Sequence, residues 1–140
     1  MTSEAPSIPA LLHTPIFVNG TKLDRGIIDI GARANIMPLS VVTKHGWSFQ
    51  RSQIEAIRTY NREVAPLAGV LKCSLKFGPM KEAEDVGFLV AGGLTNPIIG
   101  MSTLQEFGIS VDCRERLLRN RAGEIVKCAM TTKAPQQKNA

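Results

Sequence analysis

Residues Ile27-Ile28-Asp29-Ile30-Gly31-Ala32 place one carboxylate between an apolar run and two small residues. Consecutive isoleucines suit a buried strand. An aspartate directly before a turn-forming stretch stands where that strand must end. Held rigidly there and partly withdrawn from water, a carboxylate can act as a general acid or base. Taken alone, the same pair suits a turn without chemistry equally well. Other reactive side chains do not converge in sequence. Cys73, Cys113 and Cys128 are odd in number and form no Cys-x-x-Cys, and His13 and His45 are far apart. No metal site and no cofactor is therefore expected.

The elements that must carry Asp29 are short strands. Pro15-Ile16-Phe17-Val18, the turn pair Asn19-Gly20 and the return Thr21 to Ile28 predict a hairpin ending at Asp29. Pro38 is expected at the first helical position of a short helix, Leu39 to His45, stopped by Gly46. Ile54–Thr59 and Ala65–Leu71 predict a second hairpin joined by Tyr60-Asn61-Arg62-Glu63. Val70–Phe77 and Ala83–Val90 follow as strands, separated by a turn at Gly78-Pro79-Met80-Lys81. Ser102-Thr103-Leu104-Gln105 fits a capping box, which predicts a helix over 102–107 ending at Gly108. Ile109–Cys113 is expected as a closing strand and Gly123–Ala129 as one more. The class is mostly β with two small helices and no internal repeat. Residues 1–14 are expected to be a flexible leader, 15–130 the folded domain and 131–140 a flexible tail.

Bulk properties narrow the alternatives. A chain of 140 residues with 44% hydrophobic content suits one domain with one core. No apolar run approaches the roughly 20 residues of a membrane helix, and the N-terminus lacks a signal pattern, so no membrane partner is expected. The formal charge of +5 comes from scattered Lys and Arg, with only 5% aromatic residues. Without a basic helix, a nucleic-acid partner is not expected. Unpaired thiols fit a reducing, intracellular and cytoplasmic setting.

Two signatures in order make the set more specific. Ile27-Ile28-Asp29-Ile30-Gly31-Ala32 comes first, and Ile98-Ile99-Gly100-Met101 leads into the second helix. In these motifs, over roughly residues 15–118, the chain resembles the retropepsin-like aspartic proteases of retroviruses, long-terminal-repeat retrotransposons and their cellular relatives. The first signature departs from that family's pattern at Ile30, where Thr or Ser is usual. Arg33 and Met101 also replace residues that form an ion pair in retroviral members. The resemblance implies a single-lobe acid protease fold with a flap hairpin over Tyr60, Asn61 and Arg62. It implies Asp29 as the catalytic residue and Ile30, Gly31 and Ala32 as the active-site loop. Gly31 would permit a tight turn and Ala32 would leave room beside the carboxylate. Ile98, Ile99 and Gly100 would give structural support.

Each chain would supply half a site, so the implied activity is that of an aspartic endopeptidase working as a homodimer on an extended peptide or polyprotein. The alternative is a weakened or inactive protease-like domain that binds peptides or proteins. Ile30 offers neither donor nor acceptor. On the sequence alone, Ile30→Thr is expected to tighten dimerisation.

Overall fold

Alternating burial along Leu12–Val18 and Thr21–Ile28 gives the first two strands, β1 and β2. They belong to a computed structural model that describes residues 11–51, 56–58 and 64–130. Asn19 and Gly20 join them with φ of 51° and 78°. Two consecutive left-handed residues match the twist of a two-residue hairpin. β1 begins at Leu12 rather than Pro15 and shifts register between Thr14 and Ile16.

The chain continues through β3 (Asn35–Pro38), α1 (Leu39–His45), β4 (Gln50–Arg51), β5 (Ala56–Arg58) and β6 (Val64–Lys76). Then come β7 (Ala83–Ala91), β8 (Ile98–Ile99), α2 (Met101–Phe107), β9 (Ser110–Asp112), β10 (Leu117–Arg119), β11 (Ile125–Lys127) and β12 (Ala129–Met130). Strands β1, β2, β8, β3, β7 and β6 are hydrogen-bonded in that order. β6 returns to β1 through Phe17–Lys76 and Val18–Leu75, so six strands close a barrel. Closure removes the unpaired edges that an open sheet of these strands would expose.

Four features depart from the sequence reading. Asn35–Pro38, where no strand is expected from the sequence, is a fully buried strand. Its four residues are too few and too uniformly buried to show a period. Pro38 is the N-cap, with extended backbone, and not the first helical residue. The runs 65–71 and 70–77 fuse into the single 13-residue β6, which absorbs two register shifts against β7. Finally, Ile109–Cys113 does not close the main sheet, because β9 joins β10 and β11 in a separate three-stranded sheet. The side of β1 away from β2 is already occupied by β6 at one end and β12 at the other.

The feature that matters for the site is the crossing at β8. β2 and β3 are not neighbours; β8 lies between them, parallel to β2 and antiparallel to β3. β3 in turn runs parallel to β7. The chain therefore leaves β2 at Asp29, passes the end of β8 and returns as β3 on its far side. Strands in such a position are buried on both faces and must be apolar on both. Ile28 and Ile99 enter the main core with Leu71, Phe77, Phe88 and Leu104. Ile27 and Ile98 form a second cluster with Ile36 and Ala91 on the opposite face. Each such side chain contributes about 1.5–3 kcal/mol by leaving water. α2 is anchored from below by Phe107, whose ring meets Phe77 edge-on at 5.3 Å.

Candidate active site

Asp29 extends the β2–β8 ladder by one residue. Its N–H donates to the Ile99 carbonyl at 2.9 Å, just as the Ile27 N–H donates to Pro97 at 2.8 Å. The backbone of the aspartate is thus pinned by the second signature. Its side chain falls on the same side of β2 as Ile27, two residues earlier. Asp29 is only 9% exposed. Oδ1 accepts the Gly31 N–H at 2.9 Å. Among the described residues Oδ2 has no partner, so one carboxylate oxygen is free for chemistry.

Gly31 serves the turn differently from the expected role. Gly31 is absent from the left-handed glycines, so the turn does not need its conformational freedom. Instead, a Cβ there would stand 3.3 Å from Oδ1 of Asp29, and glycine keeps that space clear. Ala32 closes the turn, donating its N–H to the Asp29 carbonyl at 3.1 Å. Its methyl packs on the Ile27–Ile36–Ala91–Ile98 cluster. Ile30, between them, is 52% exposed.

The loop is held from beneath by Gly100 and the start of α2. A Cβ on Gly100 would lie 2.7 Å from the Ala34 oxygen and 2.9 Å from the Ala32 oxygen, so only glycine lets the loop cross here. The Met101 N–H donates to Ala32 at 2.7 Å, and the Ser102 N–H to Arg33 at 3.4 Å. Donors that a helix leaves unpaired at its first turn are thereby spent on the loop. The expected capping box does not form: Gly100 is the N-cap without a side-chain bond, and α2 starts at Met101. The Ser102 hydroxyl donates instead to the Arg33 carbonyl at 2.8 Å. Ser102 lies inside the helix, not before it, and the loop carbonyl is the better-placed acceptor.

One residue essential to this geometry was missed in the sequence reading. Asn35 is 2% exposed and all three of its hydrogen bonds are long-range. Nδ2 donates to the Gly87 carbonyl at 3.0 Å and to Thr103 Oγ1 at 2.6 Å. Oδ1 accepts the Gly100 N–H at 2.8 Å. A buried amide must be satisfied, and here satisfaction ties β3, β7 and α2 together under the loop. The available signal was an Asn opening a run of otherwise apolar residues.

Ile99 thus meets Asp29, and Ile98 and Gly100 meet Ala32, while Gly31 meets the Asp29 carboxylate. Tyr60, Asn61 and Arg62 lie outside the described residues; the strands flanking them pair as Arg58–Val64, Ile57–Ala65 and Ala56–Pro66. Among the described residues, no group of three or more His, Cys, Asp or Glu could hold a metal. No described helix is long and apolar enough to cross a membrane.

No protein-family profile and no curated relative matches the sequence. Solved structures do match. The chain is similar to the retroviral protease-like domain of Ddi1 from Leishmania major, at 15% identity and TM-score 0.64, over 88% of this chain and 95% of that one. It is similar to a retropepsin-like aspartic protease from Rickettsia conorii, at 25% identity and TM-score 0.56, over 73% and 76%. A third match is EIAV protease complexed with the inhibitor HBY-793, at 18% identity and TM-score 0.55, over 77% and 95%. The chain has the fold of the retropepsin-like aspartic proteases: mostly β, a six-stranded barrel and two short helices.

Proposed function

We propose that this protein is an aspartic endopeptidase of retroelement origin that works as a homodimer on an extended peptide or polyprotein. The observation that carries the reading is Asp29, a nearly buried carboxylate with one oxygen bonded to Gly31 N–H and the other without a partner among the described residues. One carboxylate is half of the required pair. A two-fold axis beside the loop would bring a second Asp29 opposite the first, and like charges so close hold one proton between them. The unprotonated carboxylate takes a proton from a water between them, while its protonated partner donates to the scissile carbonyl oxygen.

The segment with Tyr60, Asn61 and Arg62 is proposed as the flap that covers substrate. The proposed domain comprises 15–130 together with Leu12–Thr14, which β1 takes from the expected leader, and 131–140 is proposed as a tail. Three free thiols suit an intracellular, cytoplasmic setting. A second reading, a peptide-binding domain with weakened or no catalysis, is favoured by Ile30 standing at the site without a hydroxyl. Incubation with a peptide library at mildly acidic pH, with and without a pepstatin-type inhibitor, separates the two. Inhibitor-sensitive cleavage that vanishes in Asp29→Asn is expected. Binding without cleavage would establish the second reading.

A further inference from the structure

Three cations that are scattered in the sequence converge on a cavity to which the Asp29–Ala34 loop contributes nothing. Lys22 and Arg25 of β2 and Lys44 of α1 line this space of about 300 Å³, closed on a third side by Thr95 and Asn96. β2 reaches it through an irregularity. Thr14 faces Gly26 and Ile16 faces Leu23, so the single Pro15 of β1 lies opposite both Asp24 and Arg25. Such a bulge re-aims side chains. In regular alternation Arg25 would share the face of Leu23, which is buried in the core; here Asp24 and Arg25 are both exposed. On α1, Lys44 and His45 follow Val41 by three and four residues and so lie on one side of the helix. The polar groups around the cavity are unengaged. Among the described residues none of the three cations is ion-paired, even with Asp24 in the same wall, and the half-buried Asn96 side chain has no hydrogen-bond partner. His45, also in the wall, gives its Nδ1–H to the Val41 carbonyl at 3.0 Å, which leaves Nε2.

We infer that this cavity binds a phosphate group, either as free phosphate or as a phosphomonoester carried on a polypeptide. Lys22, Arg25 and Lys44 against Asp24 leave an excess of two positive charges with His45 neutral. A phosphomonoester carries about −1.5 to −2 charges at neutral pH, so the two match. The Arg25 guanidinium offers a planar fork for two phosphate oxygens, and the lysines act as point charges. The Asn96 amide and the Thr95 hydroxyl are neutral donors for the remaining oxygen. Buried Leu23 and Pro97 lie in the same wall, and low-dielectric walls focus the field of the cations into the cavity. A phosphodiester carries a single charge, so a nucleic-acid backbone is the poorer match. The site requires nothing of Asp29 and stands apart from the endopeptidase reading.

Titration of the full chain with inorganic phosphate, followed by amide NMR at ionic strength held constant with chloride, tests the site. Amides of Lys22–Arg25, Lys44, His45, Thr95 and Asn96 should shift together and saturate with one dissociation constant. Arg25→Gln and Lys44→Gln should each weaken binding by about three- to fivefold, the worth of one exposed charge contact. The double variant should lose the local shifts altogether. Arg25→Lys should recover only part of the loss, because an ammonium lacks the fork. Arg119→Gln removes an exposed cation elsewhere and should change nothing. The substituted side chains are all exposed, so the fold persists, and unchanged spectra away from the cavity check this. A phosphoserine peptide that binds more tightly than phosphate, and only when phosphorylated, assigns the anion to a polypeptide; equal affinity assigns it to the free ion. Shifts that never saturate, or that Arg119→Gln weakens as much as Arg25→Gln does, overturn the site. So does an oligonucleotide that binds while phosphate leaves these amides unmoved. Asp29→Asn should bind phosphate as the wild type does, so loss of the endopeptidase reading would leave this site intact.

Discussion

At the scale of single residues, Asp29 and Asn35 divide the work. Asp29 presents a carboxylate oxygen that has no partner among the described residues; Asn35 holds the ground on which it stands. Asp29→Asn keeps the shape and the Gly31 hydrogen bond but cannot serve as a base, so inhibitor-sensitive cleavage should fall below detection while melting changes little. Asn35→Ala is the opposite case. It strands the Gly100 N–H and the Thr103 hydroxyl in the interior, each costing about 1–3 kcal/mol. Chemical denaturation should show a loss of roughly 3 kcal/mol, and a loss below about 1 kcal/mol would mean that the network is not structural. The thiols differ just as clearly. Burial pushes Cys73 up to about 12 and Cys128 up to about 11, whereas Cys113 is exposed. Since the thiolate is the reactive form, alkylation of the native protein at mildly basic pH should label Cys113 first and Cys73 last, read by mass spectrometry.

At the scale of elements, the Asp29–Ala34 loop and the start of α2 are one unit. Gly100 is the point of contact, and the neighbours that a Cβ would meet are backbone atoms of Ala32 and Ala34. They cannot swing aside as a side chain can. Gly100→Ala should therefore displace the loop, cost about 1–3 kcal/mol as overpacking does, and abolish activity even in whatever fraction remains folded. A thermal melt with a parallel cleavage assay checks both parts. The hairpin β1–β2 and the stops of both helices were legible in sequence because their chemistry is local. Asn19-Gly20 supplies its own left-handed angles, and Gly46 and Gly108 end α1 and α2 with φ of 67° and 66°. The capping box was misread because Ser102 has a better acceptor in Arg33, sixty-nine residues away.

For the whole molecule, acid is the condition that matters, since the proposed carboxylate-pair catalysis is to be assayed below neutrality. His13 sits in β1 between Ile27 of β2 and Ala129 of β12. Burial, and then the nearby Arg25 charge, lower its pKa from the ordinary 6.5. The unfolded chain thus binds this proton more readily than the folded one. Stability from this group is present above about pH 6.5 and is lost as pH falls toward the lower folded value. The melting temperature of His13→Gln should fall less than that of the wild type between neutral and mildly acidic pH. An identical fall in both would show that His13 does not contribute. Because β12 holds the outer side of β1 at His13, this loosening would begin where the last described strand meets the first.

Sequence by itself determined whatever depends on neighbours along the chain: the turn at Asn19-Gly20, the helix stops, and an aspartate ending an apolar strand before two small residues. The order of the two signatures was enough to suggest the fold. Tertiary structure decided the rest. It put β8 between β2 and β3, so that Ile98, Ile99 and Gly100 support Asp29 from a distant part of the chain. It made Asn35 a buried knot, gave Gly31 a steric role in place of a conformational one, and left Ile30 in water. Each of these follows from which surfaces come into contact when the barrel closes, and local residue preferences do not encode that.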